Sequence, residues 1–542
     1  MNKISYAHGT SDIQLKGETI GQNLKSIVDK FGDRDALVVP YQHYKATYRE
    51  FWDQTTVVAK ALLARNIKKG DRVGIWAPNR YEWVVVQYAS ARMGAIMVNI
   101  NPAYRPVELR FSLKQSGISF LIMSKGFRHT DYMSILNQVR GDCVNLNEII
   151  VMEHDWEDFI SSGKNISDEQ LTEIEANLQF DDPVNIQYTS GTTDFPKGAT
   201  LSHHNILNNG FFIGERLKYS ENDRVCIPVP FYHCFGMVLG NMACTSHGSC
   251  MVIPGEAFEP DVVLKTVQDE KCTSLYGVPA MFIAELEHPN FDKYDYSSLR
   301  TGIMAGATCP ISTMRQVYDK MNMKEVEICY GMTETSPVSA QTMINDPMEK
   351  RVGTVGLVHP HLELKVIDPN TGKILPRGER GELCTRGYSV MLKYWNNDEA
   401  THKVIDEAGW MHTGDVAIMD EEGYVKIVGR IKDMILRGGE NIGPLEIEEY
   451  LHLHEAVSEV HVIGVPSHKY GEDVMAWIKV KAGKKVTEKE LYDFCHGQIA
   501  TYKIPRYWKF VDSFPATITG KIRKVEMREI STKELGLTDI LD

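Results

Sequence analysis

The sequence predicts an α/β protein: a large N-terminal domain of several layered α/β sheets, residues 1–430, followed by a small α+β domain, residues 431–542. Three observations carry this expectation. The chain has 542 residues, more than one core organises, since domains run to about 100–250 residues. Strand-length apolar runs alternate with helix-length periodic segments, the pattern of layered and largely parallel sheets. The pattern then changes after Gly429-Arg430, where roughly 110 residues carry helices and strands of their own.

The elements follow in order. Asp71–Trp76 reads as a buried strand, Tyr81–Met93 as a helix and Ile96–Ile100 as a strand. Val107–Gln115 reads as a helix and Ile118–Met123 as a further strand. The alternation resumes at Val184–Tyr188, and a helical pattern begins near His204. Beyond the change of character, Pro444 and the acidic residues after it mark a helix N-terminus. Val457–Val465 and Ala476–Val480 read as strands. Thr487-Glu488-Lys489-Glu490 is a capping box, opening a helix with Leu491, Phe494, Cys495 and Ile499 on one face.

Composition narrows the function. The formal net charge of −13 argues against a phosphate-backbone surface, which needs a basic face. Ten cysteines stand singly with no Cys-x-x-Cys pair, the pattern of reduced thiols rather than a disulfide frame or zinc motif. The N-terminus shows neither an apolar signal core nor an Arg-rich transit pattern. No apolar run reaches the roughly 18 residues that span a bilayer. A cytoplasmic protein is expected; peripheral membrane contact and a homodimer stay open.

The densest cluster of polar loop residues follows Tyr188. Thr189-Ser190-Gly191-Thr192-Thr193-Asp194-Phe195-Pro196-Lys197-Gly198 combines glycine, hydroxyls and a lysine. Such a loop suits a polyphosphate: backbone N–H groups can approach, hydroxyls donate, and the lysine neutralises charge. Pro196 stands where a Walker loop needs glycine, so this is not that loop. A bare Ser/Thr/Gly cluster would also serve as a polar surface turn.

The ordered string resembles the phosphate loop of the adenylate-forming superfamily, which includes acyl-CoA synthetases, luciferases and peptide-synthetase adenylation domains. That loop normally carries glycine where this chain has Asp194, which sets a carboxylate beside a tetra-anionic ligand. Tyr330-Gly331-Met332-Thr333-Glu334 matches a second motif of that family. The resemblance implies Tyr330 near the adenine, Thr333 at the α-phosphate and Glu334 on Mg²⁺, a hard oxygen ligand for a hard cation. Gly409-Trp410-Met411-His412-Thr413-Gly414-Asp415 matches a third, with Asp415 on the ribose hydroxyls.

Further matches continue to the chain end. Arg430 would contact the ribose or phosphate, and Lys432 matches the hinge pivot in Gly429-Arg430-Ile431-Lys432-Asp433. The loop at Gly438 and Gly439 resembles the one lining the pantetheine channel, although Gly443 and Leu445 depart from the aromatic and arginine expected there. Lys521, in Thr519-Gly520-Lys521, would bridge the carboxylate and the α-phosphate. His233 lies in Pro-Phe-Tyr-His-Cys-Phe-Gly where the family gates its acyl site, and Gly306 and Ala307 fall at the adenine and acyl pocket. Taken singly, each has a plainer reading: Glu334 as a capping carboxylate, His233 as a core histidine, Lys432 and Lys521 as exposed charges.

The resemblance is to the medium-chain fatty acyl-CoA synthetase group, through runs such as PFYHCFGMVLGN and RTGIMAGATCP. It implies ATP, Mg²⁺ and coenzyme A as cofactors and a small carboxylic acid as substrate, with a mobile C-terminal domain. A carboxylate with a pKa of about 4 is already a nucleophile, so no general base is required. The alternatives are a carrier-protein acceptor, or a nucleotide-binding pseudoenzyme weakened by Asp194.

Overall fold

Strands and helices alternate much as the hydrophobic pattern reads. The helix Tyr81–Met93 has the limits read from the sequence, closed by Gly94 in the left-handed conformation at φ 68. The strands Arg72–Trp76 and Ile96–Asn99 flank it in sequence and pair in parallel. The next helix spans Pro106–Ser116, with proline in its first turn, and the following strand is Phe120–Met123. The computed structural model describes residues 3–189, 196–307, 309–438, 440–517 and 522–538.

Backbone contacts divide the chain into two compact units. The larger comprises Ala7–Leu364 and Thr385–Met411; the smaller comprises Met1–Tyr6, Lys365–Cys384 and His412–Asp542. Among the described residues, the larger unit contains a seven-stranded sheet ordered Lys393–Tyr394, Lys197–Ser202, Pro183–Thr189, Ile96–Asn99, Arg72–Trp76, Phe120–Met123, Glu148–Val151. Its second sheet has nine strands, with Ser274–Gly277, Thr301–Met304 and Glu325–Gly331 as parallel neighbours near the middle. Buried helices lie against these sheets; Trp83, Tyr88, Tyr48 and Phe51 are fully enclosed in the largest core cluster. The fold class is therefore α/β in layered sheets, as the alternation requires.

The polar loop after Tyr188 precedes the helix that the pattern places near His204. It joins two antiparallel strands, Pro183–Thr189 and Lys197–Ser202, with Thr189 opposite Lys197. The helix His203–Arg216 begins only after the second strand, capped by Ser202.

In the smaller unit, Val457–Ser467 and Gly471–Val480 form a long antiparallel hairpin. It packs with the helices Pro444–Leu451 and Glu488–Cys495 around Ile447, Leu451, Val460 and Ile478. Thr487 makes the expected capping box, while Ile499 lies beyond the helix end. No helix among the described residues is long and apolar enough to cross a membrane.

Candidate active site

The site is built from the ends of strands in the larger unit. Ser190, Gly191, Thr192, Thr193 and Asp194 lie outside the described residues, as do Gly439 and Lys521. The two strands that bracket the loop are fixed by their pairing. Tyr188 donates its hydroxyl to Gln115 Oε1 at 2.6 Å, and Thr189 Oγ1 donates to Lys197 O at 3.4 Å. Lys197 Nζ stands 5.5 Å from the centre of the Tyr394 ring, within cation–π range.

The second motif ends the strand Glu325–Gly331. Gly331 faces the returning chain so closely that a Cβ would lie 1.7 Å from Pro337 O, so only glycine fits. The chain then makes a short 3₁₀ turn over Thr333–Thr335, which buries Thr333 and Glu334. Tyr330 stays half-buried and Gly331 exposed. Met332 donates its N–H to Pro337 O at 3.0 Å, holding the turn against the neighbouring strand.

Glu334 accepts a 2.8 Å hydrogen bond from the Tyr394 hydroxyl, and its backbone carbonyl accepts from Met391 N at 2.8 Å. Burial pushes the Tyr394 phenol far above its ordinary pKa, and the Glu334 charge pushes the same way. Tyr394 therefore keeps its proton and is the donor. One tyrosine joins the two motifs: its face meets Lys197 and its hydroxyl meets Glu334. Sequence reasoning missed Tyr394; the only local signal was an aromatic pair, Tyr394-Trp395, in a short strand-forming run.

His233 is placed on a bend held from outside its own segment. Asn79, buried, donates to Val229 O at 2.9 Å and accepts from Phe231 N at 2.8 Å. These bonds flank Pro230, which has no N–H to give. His233 Nδ1 accepts from Phe235 N at 3.1 Å, which in the neutral ring leaves the proton on Nε2. Cys234 Sγ lies 3.8 Å from Thr333 Oγ1, so the His233 segment and the second motif touch. Burial pushes the Cys234 thiol up to about 12, which keeps it protonated and removes it as a nucleophile. Asn79 was also missed, since a single asparagine beside proline reads as a turn.

Gly306 and Ala307 follow the strand Thr301–Met304 and are exposed. Gly306 has φ +86, a glycine conformation. That strand runs parallel to the one carrying Tyr330 and Gly331, with Met304 opposite Ile328. Tyr330 and Gly331 end one of these strands and Gly306 and Ala307 lie just beyond the other, the carboxyl ends at which open α/β sheets bind ligands. The larger unit thus gathers Lys197, Thr333, Glu334 and His233, with Tyr330, Gly331, Gly306 and Ala307 at neighbouring strand ends.

Asp415, Arg430 and Gly438 belong to the smaller unit. Asp415 and Arg430 are opposite each other on antiparallel strands and form a 2.8 Å ion pair, with Asp415 buried. Two residues assigned to one nucleotide are therefore mutual partners. Gly438 is exposed at φ +60 and donates its N–H to Tyr470 O at 2.8 Å. Lys432 is exposed on the short turn Ile431–Asp433.

These strand-end motifs, in this order, define a nucleotide-activating enzyme. The AMP-binding enzyme family profile matches residues 24–395, and the profile of the AMP-binding enzyme C-terminal domain matches residues 446–521. The chain belongs to the AMP-binding enzyme family, and it is an enzyme of the AMP-forming acid–thiol ligase type. It is 47% identical to a putative acyl-CoA synthetase, YngI, of Bacillus subtilis (strain 168), over 97% of this chain and 99% of that protein. It is 42% identical to the mitochondrial medium-chain acyl-CoA ligase ACSF2 of Danio rerio, over 98% of this chain and 91% of that protein. Among solved structures, an anthranilate CoA ligase, AuaEII, in complex with anthranoyl-AMP matches with a TM-score of 0.88 at 27% identity, over 97% of this chain and 99% of that one. ATP-bound MatB from Rhodopseudomonas palustris matches with a TM-score of 0.81 at 28% identity, over 95% and 99%.

Proposed function

We propose that this chain activates a medium- to long-chain fatty acid with ATP and transfers the acyl group to coenzyme A. The carrying observation is the Lys197–Tyr394–Glu334 arrangement, which sets a cation and a buried carboxylate on either side of one tyrosine at the ends of two motif strands. In the first step, the fatty-acid carboxylate attacks the α-phosphate of ATP, and the bond to pyrophosphate breaks. Lys197 and the residues 189–193 would hold the phosphates, Thr333 the α-phosphate, and Tyr330, Gly331, Met332, Gly306 and Ala307 the adenine side. Asp415 would bind the ribose, and Arg430 the ribose or phosphate.

Glu334 fits a Mg²⁺ ligand. It offers one hard oxygen donor, oriented by Tyr394, and Mg²⁺ is commonly held by one or two carboxylates together with substrate phosphates. Bound there, the ion supplies charge neutralisation on the phosphates. Lys521 would lie against both reacting anions, so that holding them together, rather than proton transfer, lowers the barrier.

In the second step, the coenzyme A thiol attacks the acyl carbonyl and AMP leaves. The Gly438–Gly439 loop would line its approach. This reading divides the chain at 430 and 431, with the smaller domain turning about Gly429–Asp433 between the steps. An aliphatic substrate is supported by the apolar segment Phe235–Met242 after His233 and by relatives named medium-chain ligases. A cytoplasmic location accords with ten cysteines that form no disulfide.

The test is pyrophosphate–ATP exchange over acids from acetate to palmitate plus aryl acids, followed by thioester formation with free coenzyme A. Exchange with aliphatic acids and thioester on free coenzyme A are the expected results. Preference for an aryl acid, or transfer only to a carrier protein, would overturn the substrate or the acceptor. No exchange with any acid, restored by Asp194→Gly, would make the chain a pseudoenzyme. Lys521→Ala is expected to abolish exchange and spare thioester formation from supplied acyl-adenylate; equal loss of both would refute its role.

A further inference from the structure

A second cluster of ligand-type side chains lies in the smaller unit, and no part of the proposed reaction uses it. Glu382 and Cys384 are two apart on the strand Arg380–Gly387, so they project from one face. The neighbouring strand Met411–Met419 places His412 against them, with Thr413 Oγ1 donating to Leu383 O at 2.6 Å to fix the register. His412 Nδ1 lies 3.0 Å from Glu382 Oε2 and 3.7 Å from Cys384 Sγ, and the three ligand atoms all fall within 4.8 Å of one another. Zn²⁺ bonds of about 2.3 Å to sulfur and about 2.0–2.2 Å to nitrogen and oxygen imply, at tetrahedral angles, about 3.6 Å from S to N and about 3.4 Å from N to O. The two separations from His412 Nδ1 need shifts of only a few tenths of an ångström to reach those values.

The same imidazole nitrogen faces both other groups. A catalytic triad requires the nucleophile and the carboxylate on opposite ring nitrogens, so a nucleophile relay is not what this geometry provides. Glu382 Oε1 accepts from Gly414 N at 3.2 Å, leaving Oε2 aimed at the histidine, the arrangement by which outer contacts orient a ligand. Cys384 is buried, while the His412 side chain is 31% exposed and gives an entry path.

We propose that Glu382, Cys384 and His412 form a binding site for a borderline-soft divalent cation, Zn²⁺, with a fourth position open to water. The thiol of Cys384 loses its proton to solvent as the sulfur–metal bond forms, so one proton is released per ion. The site lies on the strand that also carries Asp415, three residues on and facing the other side of the sheet. Zinc would therefore brace that strand rather than enter the nucleotide site.

The test titrates metal-stripped full-length protein with Zn²⁺ by calorimetry in two buffers of different ionisation enthalpy, and with Co²⁺ by absorption. One equivalent of Zn²⁺, about one proton released, and a near-ultraviolet thiolate-to-cobalt charge-transfer band are expected. Cys384→Ser, nearly isosteric, should lose the band and weaken Zn²⁺ binding at least tenfold; His412→Gln should weaken it similarly while the far-ultraviolet circular dichroism stays unchanged. Absence of saturable binding, a cobalt spectrum without the thiolate band, or undiminished affinity in Cys384→Ser would overturn the site.

Discussion

Tyr394→Phe isolates one hydrogen bond at the centre of the site. The ring remains, so Lys197 keeps its aromatic neighbour at 5.5 Å. Only the hydroxyl that donates to Glu334 at 2.8 Å is lost. Tyr394 is 4% exposed and Glu334 5%, so solvent neither screens the bond nor replaces it. A hydrogen bond to a charged group is worth about 1.5–3 kcal/mol, which at 1.4 kcal/mol per decade is roughly 10- to 150-fold in an equilibrium constant. Groups that orient a metal ligand cost a comparable 10- to 100-fold in affinity when removed. Pyrophosphate–ATP exchange measured against free Mg²⁺ at fixed ATP reads this directly. The half-saturating Mg²⁺ concentration should rise at least tenfold, with the KM for the acid little changed. Glu334→Gln should lose exchange at every Mg²⁺ concentration. A wild-type Mg²⁺ profile in Tyr394→Phe would refute the positioning role of the tyrosine.

Three other outcomes follow from particular contacts. Asn79→Ala strips both hydrogen bonds from the bend before His233; each buried group left unsatisfied costs about 1–3 kcal/mol, so thermal stability should fall and the KM for the acid should rise, and an unchanged acid KM would disconnect the bend from the acyl site. Asp415→Ala should remove the preference for ATP over its 2′-deoxy form and leave Arg430 without its 2.8 Å partner, whereas retained discrimination would take Asp415 off the ribose. Burial pushes the Glu327 carboxyl up to about 8, against the Gln341 hydrogen bond and the Arg216 charge. The folded chain then keeps a proton that the unfolded chain sheds near the ordinary value of 4.5, so this group's contribution to stability falls as pH rises from there through about 8. Glutamine still accepts from Gln341 but cannot ionise; Glu327→Gln should gain on the wild type by up to roughly 1.4 kcal/mol per pH unit across that window, and parallel denaturation profiles at pH 5, 6.5 and 8 would refute the raised carboxyl.

What was legible in the sequence was what a local pattern encodes. Tyr81–Met93 is apolar on nearly every face and ends at a glycine, so its limits could be read directly. Thr487 and Glu490 announce their capping box by spacing alone. The Lys197–Ser202 strand was not legible: lysine, glycine, threonine and serine give it little period, and it is a strand because it pairs with Pro183–Thr189 on one side and Lys393–Tyr394 on the other. The Asp415–Arg430 ion pair needed the antiparallel register, which places the two opposite each other across a hairpin. Gly331 shows its necessity only against Pro337 O, a contact made by the chain after it has turned back.

The motifs carry the groups proposed to act, but a segment outside them fastens two of them together. Residues 391–395 carry none of the matched strings. Yet Leu392 N donates to Thr200 O at 2.9 Å and Trp395 N to Gly198 O at 2.7 Å, fastening the segment to the strand of Lys197. Met391 N donates to Glu334 O at 2.8 Å, and the Tyr394 hydroxyl reaches the same residue's carboxylate. One short stretch therefore grips the seven-stranded sheet and the turn that ends a strand of the nine-stranded sheet. Backbone bonds carry most of this grip, so most side-chain changes there leave it in place. Tyr394 is the exception, because its side chain alone touches both the cation and the carboxylate. The lysine meets the face of the ring and the glutamate its hydroxyl; in the proposed reaction a polyphosphate and its counter-ion would take both charges.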